Sequence, residues 1–171
     1  MIASSPFSAG WRGELPRIVI DEIVTRALAE DLAGGDVTTE ACIDADATSV
    51  ALAVARKELV VAGLVVAERA FHLVDPGLHV ELLAADGALA PAGTALLRAT
   101  GSSRSLLMAE RVALNFMQRM SGVATLTRRY VSAITAGAAT RVTDTRKTTP
   151  GLRAFERYAV RCGGGKNHRD N

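Results

Sequence analysis

Two short runs near the end of the chain hold residue types suited to a small, multiply charged anion. The first is Thr143-Asp144-Thr145-Arg146-Lys147-Thr148-Thr149-Pro150. Arg146 offers a planar fork for a carboxylate or phosphate, and Lys147 a mobile point charge. Thr145, Thr148 and Thr149 add hydroxyl donors, and Pro150-Gly151 closes the loop. The second is Gly163-Gly164-Gly165-Lys166-Asn167-His168-Arg169. Three glycines let backbone N–H groups approach an oxyanion, with His168 and Arg169 placed to hold its oxygens. No GxxxxGK[ST] string is present, so this is not a P-loop. Spacing alone also admits a solvated basic turn for the first run and a floppy tail for the second.

The charge distribution points to the same region. Residues 141–171 carry eight Lys/Arg against three acids, a net of +5, whereas residues 1–140 carry twelve against fifteen, a net of −3. The overall charge of +2 does not suggest a nucleic-acid binder. Phe155 and Tyr158 lie where a helix would bury them, which argues against stacking on bases.

The elements that must position these runs follow from periodicity. Pro16 opens a helix in which Ile20, Ile23, Val24, Ala27 and Leu28 recur at helical spacing, and Gly34-Gly35 ends it. Asp36-Val37-Thr38-Thr39 reads as a capped loop. Thr48–Arg56 alternates, with Val50, Leu52 and Val54 on one face of a strand. Gly63 permits a turn before a helix at 64–74. Strands are expected at 78–84 and 94–99, separated by Asp86-Gly87 and Pro91-Ala92-Gly93 turns. Composition changes after Gly101. A helix is expected over 105–120, with Leu107, Val112 or Leu114, and Met117 inward. Ser121-Gly122 breaks it, and a second helix covers 123–136. Then come a short strand at 140–144, the polar loop and a helix at 151–161. Strand, loop, helix is the rhythm of a βα fold, where sites form at strand carboxyl ends.

Several single residues have plain readings. Arg111, in Glu110-Arg111 near Arg104, either snorkels to solvent or enters a site. His72 and His79 lack metal-ligand spacing and read as structural. Cys42 and Cys162, far apart and outside any CxxC, read as free buried thiols of a cytosolic protein. The first residues show no signal-peptide core, and no 18-residue apolar run is free of charge, so neither a leader nor a membrane span is expected. With 171 residues, 49% hydrophobic but only 4% aromatic, the chain must fill its core with Ala, Val and Leu.

Longer strings carry a resemblance. Glu110-Arg111-Val112-Ala113-Leu114-Asn115, Ser121-Gly122-Val123-Ala124-Thr125, Asp144 through Arg153, Tyr158 through Gly165 and Asn167-His168-Arg169 resemble the quinolinate phosphoribosyltransferases, as do Glu30-Asp31-Leu32 and Gly35 through Thr39. The resemblance implies an α/β fold, with an α+β N-terminal sandwich followed by the first part of an incomplete α/β barrel. The expected division is a lead-in at 1–17, a sandwich domain at 18–104 and the barrel start at 105–171. It implies transfer of a phosphoribosyl group from phosphoribosyl pyrophosphate to quinolinate with loss of CO₂, in the cytoplasm, with Mg²⁺ accompanying the donor. Arg146, Lys147, His168 and Arg169 would bind the substrates, and Arg111 would reach a neighbouring subunit's site in a homodimer or higher oligomer. It names no catalytic residue and no metal ligand in this chain. In the family the pattern continues with a lysine and acidic residues that have no counterpart here. A partial form, impaired when alone, is therefore expected. The alternatives are a remnant that only dimerises or binds anions, and a paralogue linked to molybdenum metabolism.

Overall fold

The computed structural model describes residues 14–168. Helix α1 (Arg17–Leu32) buries Ile20, Val24 and Leu28, one stripe at i, i+4, i+8. Pro16 precedes its first turn, and its carbonyl accepts from Val19 and Ile20 N–H. The expected Asp36 loop is a short helix, α2 (Val37–Cys42). The Asp36 carboxylate caps it, accepting from Thr39 N–H at 3.1 Å and the Thr39 hydroxyl at 2.6 Å. Those bonds, the hydroxyl's foremost, hold the Asp36 carboxyl below its ordinary value.

Strands β1 (Thr48–Val54), β2 (Leu59–Val60), β3 (His79–Leu82), β4 (Leu89–Ala90) and β5 (Ala95–Ser102) form two antiparallel sheets, ordered β1-β5-β3 and β2-β4. The short β2-β4 pair has no periodic signal in the sequence. In β1 the large residues face outward: Val50, Leu52 and Val54 are 64%, 51% and 43% exposed. Ala51 and Ala53 pack against the core instead. Alternation marks a strand, but it does not say which face the helices cover.

Helix α3 (Leu64–Val74) begins at Gly63, whose φ of 96° is left-handed. A Cβ there would also stand 2.8 Å from Met120 Sδ, so both backbone and packing require glycine. The Gly63 and Leu64 N–H groups donate to the Asp86 carboxylate, each at 3.0 Å, an anion at a helix N-terminus.

Helix α4 (Ser103–Ser132) runs unbroken for 30 residues, so the expected break at Ser121-Gly122 is absent. Ser121 is buried; its hydroxyl donates to the Ala62 carbonyl at 3.1 Å and accepts Ala62 N–H at 3.0 Å. Thr125, one turn on, accepts Val60 N–H at 2.9 Å. These small polar side chains dock α4 on the edge of β2 and satisfy main-chain groups that would otherwise be buried unpaired. Within α4, Val112 and Met117 are buried as expected, but Leu107 is 43% exposed.

Helix α5 (Arg153–Cys162) lies against α4. Phe155 is fully buried and meets Phe116 edge-on, with ring centroids 5.2 Å apart. The expected strand at 140–144 is reduced to one parallel bridge, Thr143 with Lys166. Both cysteines are free, but Cys42 is exposed and Cys162 only half-buried, which corrects the reading of two buried thiols. No helix among the described residues is long and apolar enough to cross a membrane.

Candidate substrate-binding site

The two cation-bearing runs are twenty residues apart in sequence and adjacent in space. Lys166 N–H donates to the Val142 carbonyl at 2.9 Å, and Asp144 N–H to the Lys166 carbonyl at 3.0 Å. Arg146 and Lys147 therefore follow one bridged segment and His168 follows the other. All three are exposed. Among the described residues, no acid lies within ion-pair reach of the Arg146 or Lys147 side chain. Two positive charges held close without a counter-ion repel each other, and an anion relieves that repulsion. Arg169 lies outside the described residues.

Buried or half-buried carboxylates hold this loop at both ends. At the first end the Asp144 side chain is only 5% exposed and accepts from Arg157 Nε at 2.8 Å. Its other oxygen accepts His168 N–H at 2.5 Å. At the far end Glu156 accepts Thr149 N–H at 3.2 Å, the Thr149 hydroxyl at 2.6 Å and Arg119 at 2.9 Å. Burial alone would raise the Glu156 pKa, but the Thr149 hydroxyl and Arg119 outweigh it and hold the carboxyl below its ordinary value. Between these clamps Arg153 donates to Thr148 Oγ1 and to the Arg146 carbonyl.

This network corrects two sequence readings. Thr149 gives its hydroxyl proton to Glu156, Thr148 Oγ1 accepts from Arg153, and Thr145 Oγ1 accepts Lys147 N–H at 3.1 Å. The threonines thus shape the loop. The glycine run is not an open cradle of donors either. Gly163, Gly164 and Gly165 N–H donate to the Ala159, Arg161 and Val160 carbonyls, closing the end of α5. Glycine is needed for close approach. A Cβ at Gly163 would meet the Ala124 carbonyl at 2.4 Å, and one at Gly165 would meet Val160 Cγ1 at 2.7 Å. Nor is the run a loose tail.

Arg111 sits elsewhere, roughly 12 Å along the α4 axis from Arg119. Its side chain is 70% exposed and paired with Asp31 of α1 at 2.8 Å. The chain does not bring it to the Arg146 loop, and its pairing leaves it facing outward. Arg104 instead donates to the Ile43 and Glu40 carbonyls, at 2.7 Å and 3.1 Å for Nη2, tying down the end of α2.

The site is joined to the sheet region through Asp86. Besides capping α3, its carboxylate accepts the Tyr158 hydroxyl of α5 at 2.8 Å. Burial first, then the Asp86 charge, pushes the Cys162 thiol up to about 11 and the Tyr158 phenol higher still. Neither ionises near neutrality. A cleft of about 840 Å³ lies between β1 and α4, lined both by apolar residues such as Leu52, Leu114 and Leu126 and by the charged Arg56, Glu58 and Arg129. It contains none of the predicted site residues. The described residues include no group of three or more His, Cys, Asp or Glu placed to hold a metal ion.

What sequence reasoning missed is Asp144, Glu156 and Arg119, none of which binds through its own exposed end. The signal available was the Asp144–Arg157 and Thr149–Glu156 spacing across a loop–helix junction.

Two family models match, the quinolinate phosphoribosyl transferase N-terminal domain over residues 36–121 and its C-terminal domain over residues 123–171. A probable nicotinate-nucleotide pyrophosphorylase (carboxylating) of Synechocystis sp. is 46% identical over 154 residues, covering 90% of this chain and 52% of that protein. A chloroplastic nicotinate-nucleotide pyrophosphorylase (carboxylating) of rice is 39% identical, covering 98% and 50%. Among solved structures, NadC of Streptococcus pyogenes superposes with a TM-score of 0.86 at 43% identity, covering 92% of this chain and 56% of that one. The chain thus spans about half the length of the curated relatives it matches. The mixed helix-and-strand fold agrees with these neighbours, and nothing in the matches favours a remnant or a molybdenum-linked paralogue.

Proposed function

We propose, because the chain belongs to the quinolinate phosphoribosyltransferase family, that its 143–168 segment binds quinolinate for phosphoribosyl transfer and decarboxylation to nicotinate mononucleotide. One observation carries the reading: Arg146 and Lys147 are clamped beside His168, and no acid among the described residues neutralises them. A pyridine dicarboxylate supplies two negative charges on one rigid ring. The Arg146 fork takes one carboxylate bidentately, and Lys147 supplies a point charge to the other. His168 adds an exposed imidazole beside them.

The chemistry asked of these groups is electrostatic. Quinolinate and phosphoribosyl pyrophosphate are both anions, and fixed cations remove the repulsion between them. The ring nitrogen attacks the anomeric carbon as the C–O bond to pyrophosphate breaks. Loss of the adjacent carboxylate as CO₂ then leaves its electron pair on that ring carbon as an ylide stabilised by the quaternised nitrogen, and a proton from water takes the carboxylate's place. Mg²⁺ enters as the counter-ion of the phosphoribosyl donor. Among the described residues no group of three or more His, Cys, Asp or Glu is placed to hold a metal ion. Arg111, exposed and on a separate face, would serve the neighbouring copy's site in a homodimer or higher assembly. The reaction belongs in the cytoplasm, a setting that suits two unpaired cysteines.

Calorimetric titration of the chain with quinolinate, and chromatographic assay for nicotinate mononucleotide with both substrates and Mg²⁺, test the reading. Saturable one-to-one binding of quinolinate, with nicotinate bound much more weakly, is expected. Equal affinity for the two acids would overturn dicarboxylate recognition.

A further inference from the structure

An acid beside an Arg-Lys pair would ordinarily be read as a ligand for ribose or metal. The geometry of Asp144 points elsewhere. Its side chain is 5% exposed and both oxygens are occupied, Oδ2 by Arg157 Nε at 2.8 Å and Oδ1 by His168 N–H at 2.5 Å.

The second of these bonds stands where a strand bond would be. In a parallel ladder the pattern begun by Lys166 N–H to Val142 and Asp144 N–H to Lys166 continues with residue 168 donating to the main-chain carbonyl of residue 144. Here His168 N–H goes to the side-chain carboxylate of residue 144 instead. The substitution ends the ladder after one bridge. It also fixes where the His168 backbone leaves it, immediately beside the segment that runs into Arg146 and Lys147. The same carboxylate anchors Arg157, so the separation of the two loops is referred to α5, itself packed on α4 through Phe155.

We propose that Asp144 is a positioning residue: its carboxylate replaces a main-chain acceptor and sets the spacing between His168 and the Arg146–Lys147 pair. As a contribution to quinolinate recognition this rests on the function proposed above. Its structural half does not.

Amide hydrogen exchange by NMR and quinolinate titration, on the unaltered chain and on Asp144→Ala and Asp144→Asn, read the two halves separately. In Asp144→Ala, exchange at His168 should quicken by about ten-fold or more while core amides of α3 and α4 keep their protection. Asp144→Asn retains an oxygen acceptor without the charge, so its effect should be smaller but in the same direction. Should Asp144→Ala not fold, Asp144→Asn is decisive, and unchanged His168 exchange there overturns the proposal. For the ligand, Asp144→Ala should weaken quinolinate by about ten- to hundred-fold. Adding His168→Ala should cost little more, because the residue is already misplaced. Fully additive losses would show that Asp144 does not act through His168. If the unaltered chain binds no quinolinate, the proposed function fails. His168 exchange then decides the positioning role alone, supporting it if protection depends on residue 144 and refuting it if not.

Discussion

The α3–α4 region and the 143–168 segment are held together by different forces. Between α3, α4 and β2 the contacts are apolar burial (Val60, Leu64, Val66, Ala109, Val112), with Ser121 and Thr125 satisfying buried main-chain groups along β2 and just after it. In the 143–168 segment the positions are set by carboxylates: Asp144 with Arg157 and His168, and Glu156 with Thr149 and Arg119. Burial is non-directional and cumulative, whereas a charge-assisted hydrogen bond fixes a distance and an angle. The first region supplies stability, and the second supplies the placement of Arg146, Lys147 and His168.

Mutations should separate these roles. The largest effect is expected where the regions meet. Phe155→Ala removes a fully buried ring from the α4–α5 contact and should destabilise the chain by about 3–5 kcal/mol in chemical denaturation. A loss below about 1 kcal/mol would mean that α5 is held mainly by its polar clamps. Next, Arg146→Ala should weaken quinolinate binding by about 1.5–3 kcal/mol and leave unfolding free energy within about 0.5 kcal/mol. A comparable fall in both quantities would erase the division. The smallest effect concerns acid. The folded Glu156 pKa lies below its ordinary 4.5, so its clamp contributes fully above that value and is lost as pH falls through the lowered one. Thr149 amide protection should therefore decline below pH 4.5 while α3 amides remain protected, and simultaneous loss of both would show a single cooperative unit.

The same division explains what could be read from the chain. Helical stripes such as Ile20, Val24 and Leu28 are legible because burial follows local period. The cationic loop was legible as Arg146 and Lys147, which stand exposed, but its threonines were misread, because their hydroxyls bond the loop to itself and to α5. Ser121-Gly122 was misread because a serine that breaks an isolated helix can dock a packed one, and its partner, Ala62, lies 59 residues away. The glycine run was misread for a similar reason. Its demand for small size comes from Ala124 and Thr127 on α4 at Gly163, and from Val160 and Thr127 at Gly165. In β1 the period was legible but not the buried face, since only the packed helices decide which side is inside.

Asp86 carries a genetic consequence. One carboxylate both caps α3 and receives the Tyr158 hydroxyl, so substitutions at 86 and 158 are expected to be coupled. A change at 86 uncaps one helix and strands the phenol of another, whereas Tyr158→Phe leaves the cap intact. Lineages that lose the tyrosine can keep the aspartate, but those that lose the aspartate should rarely keep the half-buried tyrosine. Between these two positions the order of substitution has a direction.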